Sequence, residues 1–173
     1  TSSGKTLVAE YAIGKALEES NYLYYTAPIK ALCNQKFRDF SKQFGEENVG
    51  LVTGDHSIRS DSKILVMTTE VLRNMLYTPK GVPESLYCVV LDEIHFLEDP
   101  YRGAVWEEII LTLPKRVLLV ALSATVSNAA ELTDWIHSVR GNIKQVSRDT
   151  RPVPLRGHFL ASEKRRNYHL AKI

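Results

Sequence analysis

The chain has 173 residues, the size of one domain, and its 44% hydrophobic content is enough for a full core. With 22 basic against 20 acidic side chains the net charge is only +2, so nucleic-acid binders and metabolic enzymes both stay open and any basic surface must be local. Cys33 and Cys88 lie far apart outside any CxxC pattern, and the five histidines (56, 95, 137, 158, 169) lack HxH or HExxH spacing, which excludes a disulfide framework, a zinc site or a metal cluster and fits a reducing interior. No apolar run reaches the roughly 18–20 residues of a membrane span.

In chain order, "KTLVAEYAIGKALEES" (5–20) carries Leu7, Val8, Tyr11, Ala12 and Ala16 at helical spacing. "NYLYYTA" (21–27) is short and rich in β-formers, a strand. "PIKALCNQKFRDFSKQFG" (28–45) opens on a proline suited to a helix start and closes on a glycine suited to its stop. Strands follow at 48–54 and 63–69, with a polar loop between them, then a short helix at 69–77 and a loop bearing Pro79, Gly81 and Pro83. The strand "YCVVLDE" (87–93), a helix at 102–113, the strand "RVLLVALSA" (116–124) and a helix at 128–140 complete the regular alternation. Residues 142–147 and 153–160 are the last candidate strands.

Apolar strands that do not alternate, each separated by a helix, predict a mostly parallel sheet covered on both faces. In such sheets the working residues sit past the carboxyl ends of the strands. The polar clusters Thr26–Pro28, Thr53–Asp55, Thr68–Glu70, Asp92–His95 and Ser123–Thr125 are therefore expected along one edge. Tyr22, Tyr24 and Tyr25 on a central strand, and Trp106 and Trp135 on amphipathic helices, are read as core rather than as base-stacking platforms.

The opening "TSSGKT" (Thr1, Ser2, Ser3, Gly4, Lys5, Thr6) matches the second half of the phosphate-binding pattern G-x-x-x-x-G-K-[ST] and runs straight into a helix. The first glycine position falls before residue 1, which implies a truncated N-terminus. Gly4 allows the backbone close to a phosphate, helix N–H groups favour the anion, Lys5 would neutralise β/γ-phosphates, and Thr6 would ligate Mg²⁺. Such a site needs an acid at the end of a neighbouring strand. "VVLDEIHFLED" (89–99) supplies Asp92 for the metal and Glu93 to accept a proton from, or orient, the attacking water. Alone, either motif could be an ordinary capped helix or a strand end meeting water; together they predict a nucleoside triphosphatase.

"TSSGKT", "TAPIKALCNQK", "VTGD", "MTTEVLRNMLY", "DEIH", "LSAT" and "RPVPL" occur in the order found in superfamily 2 DExH-box helicases, and the resemblance runs from residue 1 to about 160. Within them "DEIHFLEDPYRGAVWEE", "SATVSNAAEL" and "RPVPL" resemble the superkiller-type RNA helicases, above all bacterial HelY-type members. The resemblance implies a RecA-like P-loop fold over 1–160, with 161–173 starting the link to a second RecA-like domain. It implies ATP and Mg²⁺ as cofactors, held by residues 1–6 and Asp92. Lys5, Asp92 and Glu93 become catalytic, while His95, Ser123, Ala124 and Thr125 couple the nucleotide site to movement.

It further implies nucleic-acid contacts at Pro28, Lys30, Thr53, Gly54, Thr69 and Arg73. Threonine hydroxyls, free N–H groups and cations suit phosphates, so single-stranded RNA or DNA would be held by its backbone, largely without base reading. RNA and DNA are not separated by any residue here, although the branch points to RNA. The expected activity is ATP-driven translocation and unwinding, in a cytoplasmic protein without membrane attachment. A remodelling ATPase that does not separate strands, or a binding module with a vestigial ATP site, are the alternatives. The isolated chain, without the arginine fingers of a second domain, is expected to be inactive. Arg151 and the prolines of "RPVPL" resemble a branch motif, and Lys164–Arg166 stays unassigned, a solvated linker on charge alone.

Overall fold

The computed structural model describes residues 4–123, 128–147, 158–163 and 167–172. Thr1, Ser2, Ser3, Ala124, Thr125, Arg151 and the Lys164–Arg166 run lie outside the described residues. Gly4–Gln145 forms one compact unit, and a second begins at Val146.

The first unit alternates helix and strand: α1 (Lys5–Glu18), β1 (Tyr22–Ala27), α2 (Lys30–Phe44), β2 (Val49–Val52), β3 (Ser57–Ile58), β4 (Ile64–Thr68), α3 (Thr69–Leu76), β5 (Leu86–Leu91), α4 (Gly103–Thr112), β6 (Leu118–Ala121) and α5 (Ala129–Arg140). One six-stranded sheet has the order β3-β2-β4-β1-β5-β6. All its pairings are parallel except β2 with β3. The expected α/β class holds, and its physical basis is visible in the two cores. Leu23, Tyr25 and Ala27 of β1 face Ala9, Ile13 and Ala16 of α1 and Cys33 and Phe40 of α2. Tyr24, on the opposite face, joins a second core with Leu72, Trp106, Ile109, Ile110 and Ile136 from α3, α4 and α5. A strand buried on both faces has no polar side to display, hence the unbroken apolar runs.

Parallel pairing brings every helix-ward strand end to one edge. After β4 the chain crosses back to lay β5 on the other side of β1, so the strand order reverses between β1 and β5, where α/β sheets place their ligands. Tyr24, Tyr25 and Trp106 are buried as expected, and Trp135 is half-buried against the second core. Both cysteines are buried and unpaired; burial pushes the Cys33 thiol up to about 11 and the Cys88 thiol to about 12.

Some elements differ from expectation. Helix α2 starts at Lys30 rather than Pro28, because two residues, the second extended, turn the chain off β1. The polar loop after β2 contains β3, which closes back antiparallel. Gly50 permits this approach: a Cβ there would lie 2.1 Å from the Arg59 carbonyl oxygen. No strand forms at 142–147, where only Ile143 and Val146 are apolar and the segment has too little to bury. The segment read as the start of a link holds much of a hairpin. In the second unit β7 (His158–Glu163) pairs antiparallel with β8 (Asn167–Lys172), from His158↔Lys172 to Glu163↔Asn167. Its strand residues pair locally, a signal that reading the segment by charge overlooks. Among the described residues no helix is long and apolar enough to cross a membrane.

Candidate nucleotide site and nucleic-acid edge

Helix α1 opens on Gly4, which adopts a left-handed φ of 74° and offers no side-chain cap. A left-handed N-cap costs glycine little, and it leaves the first N–H groups of α1 open to an anion. The sheet brings the end of β5 opposite. Lys5 Nζ lies 3.7 Å from Glu93 Oε2, and His95 Nδ1 lies 3.2 Å from the same oxygen. None of these three atoms makes an aligned hydrogen bond among the described residues, and all three are shielded from solvent. A shared carboxylate oxygen facing two nitrogens, neither fully engaged, is an arrangement a phosphate and a water could complete.

Glu93 reaches this position through a φ of 53°, unusual for a residue with a side chain. Such backbone strain persists where the surroundings over-determine it. Here Ile94 N–H donates to the Leu122 carbonyl at 3.0 Å and Leu122 N–H to the Leu91 carbonyl at 2.9 Å. These bonds extend the β5–β6 ladder past the strands and hold the turn. Ile94–Glu98 then forms a short 3-10 turn that carries His95.

Asp92 is buried and both its oxygens are engaged. Oδ1 accepts the Glu93 N–H at 2.9 Å, and Oδ2 accepts the Tyr25 hydroxyl from β1. Burial first, then the Asp92 charge and hydrogen bond, push the Tyr25 phenol far above its ordinary range, so it remains a donor. Phe40 packs edge-on against the Tyr25 ring at 5.2 Å. The sequence marks Tyr25 only as core; nothing near it signals its partner, which is 67 residues away. Tyr25→Phe keeps the ring and deletes the donor, leaving a buried carboxylate oxygen short of a partner. It is expected to lower stability by about 2 kcal/mol in urea unfolding, and an unchanged midpoint would show that Asp92 does not rely on this bond.

Thr6 Oγ1 accepts a hydrogen bond from Lys36 Nζ of α2 at 3.0 Å, a neighbour that no local sequence signal announces. Ser123, just past β6, has a buried hydroxyl with no partner among the described residues. A cleft of about 230 Å³ beside His95 is lined by Ile94, Leu97, Leu132 and Trp135, with Glu98, Glu107 and Glu131. Its three acids disfavour a phosphate there.

The other expected set lies along the ends of β1, β4 and β2, which are neighbours in the sheet. Lys30 is exposed at the start of α2 and pairs with Asp55 at 2.8 Å, while Asp55 also accepts the Thr53 hydroxyl at 3.0 Å. The bond from Lys30, reinforced by Thr53, holds the Asp55 carboxyl below its usual range. Gly54 is exposed and open, with nothing within 4 Å of where a Cβ would stand. Helices α2 and α3, like α1, begin without a side-chain cap and so present free N–H groups on this edge. Pro28 is buried. Thr69 is fully buried, its hydroxyl unpartnered among the described residues, which takes the group expected to meet a phosphate out of contact with solvent. Arg73 turns to Glu108 of α4 at 3.3 Å.

A lysine and an uncapped glycine start at α1, set against an acidic pair at the end of a parallel strand, are the arrangement of P-loop nucleoside triphosphatases, and the fold is of that class. The chain belongs to the DEAD/DEAH box helicase family, whose family model matches residues 1–133. It is 50% identical over 165 residues to the DExH-box ATP-dependent RNA helicase DExH15 chloroplastic of Arabidopsis thaliana, covering 92% of this chain and 14% of that protein. It is 49% identical over 164 residues to the probable helicase HelY of Mycobacterium leprae, covering 95% of this chain and 18% of that protein. Human superkiller complex protein 2 is 51% identical over 161 residues, covering 92% and 13%. The superkiller-type and HelY-type resemblance is thereby borne out. The chain spans 12% to 18% of the length of the curated relatives it matches. Among solved structures, the DUF1998 helicase MrfA bound to DNA matches with a TM-score of 0.65 at 23% identity, over 80% of this chain and 22% of that one, a likeness of fold.

Proposed function

We propose that this domain is the ATP-hydrolysing half of a helicase motor that moves along single-stranded RNA and separates strands, with a second RecA-like domain completing the site. The observation that carries this reading is the Lys5–Glu93–His95 cluster beside Asp92, on the same sheet edge as the exposed Lys30 and Gly54. Lys5 and the uncapped start of α1 would bind the phosphates, and the shielded Glu93 oxygen would take a proton from the attacking water. His95, on that same oxygen, would orient the carboxylate and report its state to the turn that follows.

The Thr6 hydroxyl and the buried Asp92 carboxylate are hard oxygen donors of the kind Mg²⁺ takes, and they would hold the ion together with water and phosphate once the Lys36 ammonium, 3.0 Å from the Thr6 hydroxyl, gives way. When bound, it would neutralise charge on the transferred phosphoryl group. The strand would follow the ends of β1, β4 and β2, held at its backbone by Lys30, the Gly54 amide and the starts of α2 and α3, with Pro28, Thr53, Thr69 and Arg73 shaping that edge. RNA is favoured over DNA because the matched relatives include proteins named as RNA helicases. The buried, reduced thiols suit a cytoplasmic setting.

ATP hydrolysis by the protein as the cell makes it, measured with single-stranded RNA, with single-stranded DNA and with neither, tests the reading. Stimulation by RNA, with displacement of one strand from a tailed duplex, is the expected result. Stimulation without displacement would make the protein a remodelling ATPase, and no stimulation by either strand would overturn the motor assignment.

A further inference from the structure

Arg102 stands ten residues after Asp92, just before α4, and neither nucleotide chemistry nor the expected strand contacts call on it. Its Nη2 donates to the Pro28 carbonyl at 2.5 Å and to Glu70 Oε1 at 2.7 Å. Pro28 follows β1 and Glu70 lies in the first turn of α3 after β4, and these two strands are paired up to Ala27↔Thr68. One guanidinium therefore fastens together the two strand ends that carry the proposed backbone-binding segments.

The residue is itself held firmly. Asp99 Oδ1 accepts the N–H groups of Tyr101 at 2.9 Å and Arg102 at 3.1 Å, and the Asp99 carbonyl accepts Gly103 N–H at 2.8 Å. Gly103 sits so close to the preceding turn that a Cβ there would lie 2.1 Å from the Leu97 carbonyl oxygen. The chain from Glu93 to Arg102 is thus a short, tied path that runs from the nucleotide cluster to the strand edge.

We propose that Arg102 is a positioning residue for nucleic-acid binding: it occupies the Pro28 carbonyl and neutralises Glu70, so that the strand ends present donors, not acceptors, to a passing phosphate. This rests on the motor reading given above. Left free, a carboxylate in the first turn of α3 would repel the phosphate that the open N–H groups of that helix attract. With Glu70 paired to Arg102 and Asp55 paired to Lys30, the uncapped starts of α2 and α3 face the strand without a free carboxylate beside them. Arg102 does not itself contact the phosphate in this account, because its donors are directed at Pro28 and Glu70.

The test uses the protein as the cell makes it and a fluorescent poly-uridine oligonucleotide, with Arg102→Gln, Glu70→Gln and the double variant. Arg102→Gln is expected to weaken strand binding about 10-fold while the salt dependence keeps its slope, since no phosphate contact is lost. The double variant should regain most of that loss, and Glu70→Gln alone should bind as tightly as the wild type or a few-fold tighter. Affinity for a fluorescent ATP analogue should be the same in all four proteins. A slope reduced by about one unit without rescue by Glu70→Gln would make Arg102 a direct phosphate contact and overturn the proposal. Equal binding by wild type and Arg102→Gln would overturn it too, as would weaker binding by Glu70→Gln, a variant that keeps Arg102 if its loss prevents folding. Failure of the wild type to bind the strand would instead sink the motor reading.

Discussion

Glu93→Gln is expected to slow ATP turnover by about 10²–10⁴-fold while ATP still binds. The amide keeps the size and shape of the side chain, so the φ of 53° and the ladder bonds that hold the turn need not change. What it removes is the carboxylate oxygen that faces Lys5 at 3.7 Å and His95 at 3.2 Å, and with it the capacity to accept a proton. Lys5 remains free for the phosphates, because the amide holds it less strongly than the carboxylate does. Single-turnover hydrolysis compared with equilibrium binding of a fluorescent ATP analogue separates the two effects. Unchanged turnover would remove Glu93 from the chemistry and revive the reading of a binding module with a vestigial site. Parallel loss of binding would show that the carboxylate organises the phosphate loop instead.

Trp106→Ala is expected to destabilise the domain by about 3–5 kcal/mol, a large share of the roughly 5–15 kcal/mol that holds a typical domain folded. Trp106 is fully buried on α4 and stacks on Phe96 with ring centroids 6.1 Å apart and planes 13° from parallel. Phe96 in turn packs against His95 at 5.0 Å. Truncation opens a cavity under the turn that carries His95, so the loss reaches both the core and the site. Urea unfolding measures the first effect. Trp106→Phe fills part of the space and should recover more than half the stability, since the indole N–H it removes has no partner among the described residues; if it were as damaging as alanine, the buried volume would not be what Trp106 supplies.

Much of the geometry of the proposed nucleotide side was legible in the chain because its signals are local. "SGKT" running into a helix, and "DE" closing an apolar run, each join a residue type to the end of an element, and the helix–strand alternation implies that those ends share an edge. The proposed strand edge was less legible. Lys30 and Gly54 do stand open at strand ends, yet Thr69 is sealed into the core and Arg73 turns to Glu108. Whether a residue after a strand faces solvent depends on what packs against it, and Glu108 of α4, the partner of Arg73, comes thirty-five residues later.

The amino-acid order by itself determined the parallel α/β class, the placing of Gly4, Lys5 and Thr6 at a helix start and of Asp92 and Glu93 at a strand end, and the family. Periodicity and short motifs depend on neighbours a few residues apart, so they survive in a linear reading. The tertiary structure alone decided that Lys5 and His95 share one oxygen of Glu93, that Tyr25 holds Asp92, and that Arg102 joins Pro28 to Glu70. Each of these contacts except that between Glu93 and His95 closes a separation of tens of residues, and it forms because the sheet order puts β1 between β4 and β5. Strand order is set by how two buried faces are packed, and a hydrogen bond across that distance leaves no periodic trace in the chain.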